Sequence, residues 1–411
     1  MKVQELHIQN FRGIADLELQ NADPAMNIVV GVNGVGKTSF LDAMAISFSW
    51  MIARMKSGSA KGNLPTESDI THGAKGACAI SVTLDNGVSW TVGKTKTSYA
   101  RTSPFKSDLA ALTTLTDGIV RHAEEERGCV PVLMYYPVER SVAAAPVSLH
   151  KVVPSIWDIY TNALTGNSNF RAMFEWYRRQ EDIENEMIRD HAGYRDPSLE
   201  AIRKAIGVFF PDFSELRIRR HPRQSMVIKK GKEEIEFTQL SQGEKCYLSL
   251  ICDIARRLAM ANPSHPNPLE GEGIVLIDEI DLHLHPKWQS EVVSKLMKVF
   301  PNCQFFLSTH SPLVLSDAKR NQILPLDNGA LMRVSYDAYG KLASSIMTNY
   351  FDVPYQRNQG IALKIKEAFC AIREGDKKKY DTLFSELREV LDMSDPDMVN
   401  LVVEANRRSM V

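Results

Sequence analysis

Hydrophobic and polar positions change period several times along this chain. Alternation over residues 3–8 and again over 17–19 predicts a pair of strands. An unbroken apolar run, residues 26–30, predicts a buried strand that enters a glycine-rich turn, and residues 42–51 continue from that turn as a helix. Residues 56–62, rich in Ser, Gly and Lys, predict an exposed loop. Two further strands, 79–84 and 89–92, flank Asp85-Asn-Gly87, a turn that suits a hairpin. Residues 130–136 form another apolar strand, stopped by Pro137.

Beyond residue 140 the pattern changes. Phe170, Met173, Phe174 and Tyr177 fall at helical spacing and lead into a charged stretch, 178–186. This predicts an amphipathic helix whose apolar face packs on its own domain or fits a partner's groove. From residue 238 the pattern alternates helix (244–260), strand (274–277), helix (286–299) and strand (304–307), which implies a largely parallel sheet covered on both faces. From about residue 342 the chain reads as short charged helices, with Ile365, Phe369 and Ile372 at helical spacing. The expected class is α/β: a mostly parallel sheet, an antiparallel β portion, a helical insertion and a helical C-terminal region. The expected divisions are an N-terminal lobe, 1–140; a mainly helical insertion with a short β segment, 141–237; a second lobe, 238–340; and the helical region, 341–411.

Composition narrows the classes. The 411 residues are 44% hydrophobic, enough to bury a sizeable core, and 49 basic residues nearly cancel 50 acidic ones. Contact with nucleic acid or membrane must therefore rest on a local patch. The cysteines, Cys78, Cys129, Cys246, Cys252, Cys303 and Cys370, include no C-x-x-C pair and several lie in apolar runs. That pattern implies reduced thiols rather than a disulfide or zinc framework. No apolar run reaches the roughly 18 residues a membrane span requires, so the expectation is a soluble, cytoplasmic protein.

Chemistry is concentrated in four segments. Gly31-Val-Asn-Gly-Val-Gly-Lys-Thr38 fits G-x-x-x-x-G-K-[ST] between a predicted strand and a predicted helix. Gly31, Gly34 and Gly36 let backbone N–H groups turn around phosphate oxygens, and the next helix presents its positive end to the same anion. With Asn33, Val35 and Ser39 they make up the candidate ATP site, in which Lys37 reaches the β- and γ-phosphates and Thr38 ligates Mg²⁺. Residues 273–279 read as a buried strand ending in two acids. Strand alternation gives those acids different tasks, Asp278 at the metal and Glu279 at the attacking water. Leu240-Ser-Gln-Gly-Glu244 opens a helix and reads as an ordinary cap or as a second anion site. His310 follows the strand 304–307 at the sheet end where ligands collect, within reach of a γ-phosphate.

The order of these segments, with Asn10-Phe-Arg-Gly13, Asp278-Glu-Ile-Asp-Leu-His-Leu-His-Pro286 and Ser308-Thr-His-Ser-Pro312, resembles the RecF/SMC-like branch of ABC-type ATPases. Phe174-Glu-Trp-Tyr177, Glu181-Asp-Ile-Glu-Asn185 and Pro286-Lys-Trp-Gln289 are similar to the Septu- and retron-associated defence ATPases of the PtuA group. The resemblance implies a two-lobed P-loop head that dimerises face to face. ATP held by Lys37 of one copy would be closed by Ser241, Gln242, Gly243 and Glu244 of the other, with Asp281 at the same interface. It also implies ATP contact by Arg12, and control of a separate nuclease effector, HNH-type if Septu-like. Two departures stand out. Residues 141–237 are too few for the long coiled coil of SMC proteins, and Tyr135, Tyr136 and Arg140 occupy the region where ABC proteins usually place a metal-sensing glutamine.

Other candidates carry less. His283 and His285 lack a third zinc ligand, and Asp395-Pro-Asp397 sits where a helix should start. Asp212 and Glu215 lie close together without the lysine a common nuclease site needs, so no nuclease is expected in this chain. Arg217, Arg219, Arg220 and Arg223 with Lys229, Lys230 and Lys232 form the strongest basic stretch, a solvated strand or a contact for nucleic-acid phosphates. The second of these readings would suit a RecF-like DNA-repair ATPase. A transporter motor is disfavoured by the Asn-Phe-Arg-Gly opening.

Overall fold

The computed structural model describes residues 1–74, 76–97, 105–125, 129–139, 155–165, 170–334, 336–351, 353 and 357–408. Arg140 lies outside them. The chain forms two compact units, Met1–Ala343 and Ser344–Val411.

In the first unit β1 (Val3–Phe11), β2 (Ile14–Leu19), β4 (Ala77–Leu84) and β5 (Ser89–Thr95) form an antiparallel sheet in the order β2-β1-β4-β5. The second sheet is built on β3 (Met26–Val30), β6 (Val132–Tyr136), β10 (Gly273–Ile277) and β11 (Cys303–Thr309). With β12 (Ile323–Asp327) and β13 (Ala330–Leu331) its order is β13-β12-β3-β11-β10-β6, parallel except for the β12–β13 pair. Every residue of β3, β6, β10 and β11 is buried, as expected for parallel strands covered on both faces.

Helix α1 (Lys37–Lys56) is apolar around most of its circumference because it meets both sheets. Phe40 packs on Phe306 of β11 and Phe48 on Trp90 of β5, each pair with centroids 6.3 Å apart. Helix α2 (Ala110–Glu125) packs beside α1 and β5. No element was expected over these residues, although Leu112, Leu115 and Ile119 recur at helical spacing; only Leu112 and Thr116 of the helix are buried.

Helix α3 (Phe170–Asp190) packs on its own unit, through α4 (Pro197–Phe209), β7 (Phe213–Arg219) and α5 (Gln242–Ala261). Strands β7, β8 (Ser225–Lys230) and β9 (Glu233–Glu236) make an antiparallel meander. The helix expected over 286–299 is two: α6 (Pro286–Gln289) and α7 (Val292–Val299). Ser290 ends the first turn, and Gln289 turns back, its amide donating to the carbonyls of Asp281 and Leu284. A short α8 (Pro312–Ser316) follows β11.

The second unit holds α9 (Ala343–Tyr350, beginning at the unit boundary), α10 (Gln359–Glu374), α11 (Lys377–Arg388) and α12 (Pro396–Arg407). Ile365, Ile372, Tyr380, Leu387, Met398 and Leu401 meet in its core. Asp395 caps α12, accepting the Asp397 N–H, and forms an ion pair with Arg357. Among the described residues no helix is long and apolar enough to cross a membrane.

Candidate active site

Parallel register brings the ends of three strands together. Val30 of β3 pairs with Thr309 of β11, and Ile277 of β10 pairs with Leu307 of β11. The loops leaving these ends converge on one cleft of about 210 Å³, lined by Asn33, Gly34, Gly36, Lys37, Thr38, Ser39, Asp278, Glu279 and His310.

The phosphate loop takes its shape from two left-handed glycines, Gly34 at φ 84° and Gly36 at φ 106°. Gly36 is the N-cap of α1 and supplies no side-chain cap, and no acid lies in the helix's first turn, so the N-terminal amides face the cleft uncapped. Lys37 folds back over the loop, donating to the carbonyls of Gly31 at 2.9 Å and Val32 at 3.0 Å. Burial pulls its pKa below the ordinary lysine value, against Asp278, Glu279 and Asp281, which favour the charge.

At the cleft floor the Thr38 hydroxyl donates to Oδ2 of Asp278 at 2.8 Å, joining residues 240 positions apart. Ser308 donates to the other oxygen of Asp278 and accepts the Glu279 N–H at 2.8 Å. Strand alternation is not what separates the two acids. The strand ends at Ile277 and Glu279 has a φ of 46°, so the two acids leave a turn rather than a regular strand, and both line the cleft. His310 has its pKa lowered by burial first and by Lys37 second, against the three acids, so neutral imidazole is favoured. A Thr–Asp oxygen pair fits Mg²⁺, which takes one or two protein ligands and completes its shell with phosphates and water.

The remaining expected residues do not line this cleft. Val35 lies behind the loop, its Cγ2 where a side chain at Gly31 would go. Arg12 is held by Asp42 and, at 2.9 Å, by Asp69. Asp281 accepts the Thr309 hydroxyl at 2.5 Å and the His310 N–H at 3.3 Å. Ser241 caps α5 in a reciprocal box with Glu244, which Lys230 also grips at 2.7 Å. Gln242 is exposed, and Gly243 packs so closely on the turn after β10 that a Cβ would meet the His283 carbonyl.

Two partners lacked a motif signal, Asp42 beneath Arg12 and the buried Asp253 on α5, while Ser308 lay inside a motif that gave no hint of its bond to Asp278. The basic stretch is largely matched by acid. Arg217 and Arg219 share Glu234, Arg223 pairs with Glu236, and Arg220 pairs with Glu181 and Asp182. His285 caps α6, accepting the Lys287 N–H at 3.2 Å.

The loop-to-helix phosphate cradle and the acids that follow β10, brought together on one cleft, are the features of a P-loop ATPase site. Family models agree: one described as an AAA ATPase domain matches residues 1–84, and one described as an AAA domain, putative AbiEii toxin, Type IV TA system matches 147–316. The chain is 29% identical to the retron Vc95 probable ATPase of Vibrio cholerae, over 92% of this chain and 84% of that one. It is 27% identical to the retron Ec83 probable ATPase of Escherichia coli, over 99% and 87%. To the Septu protein PtuA of Bacillus thuringiensis it is 22% identical, over 96% and 95%.

Proposed function

We propose that this chain is an ATP-driven switch subunit of a bacterial anti-phage defence system, closing as a face-to-face pair around ATP and controlling a separate nuclease effector. The observation that carries the ATP reading is the Thr38–Asp278 contact beneath Lys37, which joins the phosphate loop to the strand-end acid on one cleft. Its likeness to the retron ATPases and to PtuA motivates the defence role. In this reading the loop amides and Lys37 bind the β- and γ-phosphates. Thr38 and Asp278 hold Mg²⁺, which when bound neutralises charge on those phosphates. Glu279 takes a proton from, or orients, the attacking water, while neutral His310 donates to the γ-phosphate.

Ser241, Gln242, Gly243 and Glu244 lie off their own cleft, and in this reading they complete the cleft of a second copy, with Asp281 beside them. Arg12 steadies the nucleotide end of α1 through Asp42. The acid-matched arginines of the meander give no support to a nucleic-acid role, and cutting is assigned to the effector.

Complementation tests the pairing. Lys37→Ala removes the phosphate ligand, and Ser241→Asp keeps a good cap while setting a carboxylate against the partner's phosphates. Each variant alone should be inactive. A one-to-one mixture should recover roughly a quarter of wild-type turnover, since half the pairs are mixed and each mixed pair has one intact site of two. No recovery at any ratio would refute the shared site. Pull-down of the chain with its genomic neighbours tests the effector, and a chain that purifies alone from that operon counts against it.

A further inference from the structure

Strand β6 ends in two adjacent tyrosines whose side chains leave opposite faces of the sheet. Both are buried, with 5% of Tyr135 and 3% of Tyr136 exposed, and each hydroxyl finds a carboxylate on a different helix. Tyr135 donates to Oδ1 of Asp42 on α1 at 2.7 Å, and the other oxygen of Asp42 accepts from Arg12. Tyr136 donates to Oδ2 of Asp253 on α5 at 2.9 Å. Arg257 binds that oxygen at 2.8 Å and Arg256 binds Oδ1 at 2.6 Å. The backbone adds a third link, because the Tyr136 carbonyl accepts the Asp278 N–H at 2.8 Å.

Phenylalanine would fill the same volume without a polar atom to satisfy, so packing alone gives no reason for either hydroxyl. Burial first, and the nearby carboxylate second, hold both phenols above the ordinary tyrosine range, which keeps them permanent donors. The two residues thus touch the helix that begins at the phosphate loop, the helix that begins at Ser241, and the acid at the cleft floor.

We propose that Tyr135 and Tyr136 are positioning residues that couple occupancy of the phosphate loop to the pose of helix α5. The inference rests on the ATP-switch reading above. Strand β6 lies at the edge of its sheet and pairs there with β10 alone among the described strands, so it shifts more readily than the strands inside. A displacement of α1 or Asp278 on phosphate binding reaches β6 through the Asp42 and Asp278 bonds, and leaves through Tyr136 to Asp253. From Asp253 to Ser241 the helix is continuous and runs about 18 Å, so a small tilt at one end moves the other.

The experiment compares Tyr135→Phe, Tyr136→Phe and the double variant with the wild-type chain. It measures equilibrium ATP binding, ATP-induced change in hydrogen exchange over residues 241–252, and steady-state kcat and KM. Each Phe variant should bind ATP within about threefold of wild type, lose the exchange response in α5, and lower kcat on the order of tenfold at nearly constant KM. The double variant should be no worse than the weaker single, because the two bonds act in series. Phe variants that keep both the α5 response and the wild-type kcat overturn the proposal, as does a double loss equal to the product of the singles. A wild-type chain that binds ATP with no response in α5 overturns the coupling alone, and one that binds no ATP overturns the switch reading itself. Should Tyr136→Phe fail to fold, Tyr135→Phe leaves Asp253 untouched and carries the same comparison.

Discussion

Gly243→Ala puts the contact between α5 and the turn after β10 under direct test. An ideal Cβ on Gly243 would lie 2.4 Å from the His283 carbonyl oxygen, whereas real Cβ contacts essentially never fall below 3.0 Å. The two segments must part by about 0.6 Å, the difference between those distances, and the obstacle is backbone that cannot rotate aside. The turn has little slack, since His283 is itself a non-glycine residue at φ 65°. Forced overpacking of this kind costs about 1–3 kcal/mol of stability. It also displaces the first turn of the helix carrying Ser241, and misplacement approaching an ångström costs on the order of 10- to 100-fold in turnover. ATP affinity should stay within about threefold, because neither Gly243 nor His283 lines the cleft. The assay pairs urea midpoints with steady-state ATPase rates and equilibrium ATP binding. Gly207→Ala is the control: it lies inside α4 with nothing within 4 Å of its Cβ position, and should stabilise the chain by about 1 kcal/mol. If Gly243→Ala matches wild type in midpoint and turnover, the argument from close approach is wrong.

Lys37→Ala should abolish measurable ATP binding, read by equilibrium dialysis, because it removes the lysine that lines the cleft, and no other lysine or arginine does so among the described residues. Glu279→Gln should retain binding and ATP-dependent association, seen by sedimentation, while turnover falls about 100-fold or more. Asp253→Ala leaves Arg256 and Arg257 buried without their counter-charge, so the first unit should lose about 3–5 kcal/mol in urea melts. Burial favours the neutral form of Asp253, but Arg257 and Arg256 outweigh it and hold the pKa below the ordinary value of 3.8. Its stabilisation is therefore complete above the unfolded carboxylate range and is lost as pH falls through the depressed folded value. Wild type should weaken progressively below about pH 5, and Asp253→Asn should show a shallower acid limb in the same melts.

Sequence alone determined the local features. The phosphate loop was legible because a strand, a glycine turn and a helix must be contiguous to form it, and the buried strands were legible because parallel strands covered on both faces lose all alternation. The hairpin at Asp85-Asn-Gly87 and the Ser241 cap are set by neighbours in the chain, so they too could be read. Only the tertiary structure decided which distant residues meet. Ser308 reaches Asp278, Tyr135 reaches Asp42 and Tyr136 reaches Asp253 through sheet order and register, and none of these contacts has a spacing a motif could record. Helix α2 was legible in principle, since Leu112, Leu115 and Ile119 recur at helical spacing, and it was passed over although the pattern was there. The neutralisation of the meander's arginines, by contrast, was out of reach. Charge pairing across strands depends on register, and a sequence lists its charges without saying which of them face each other.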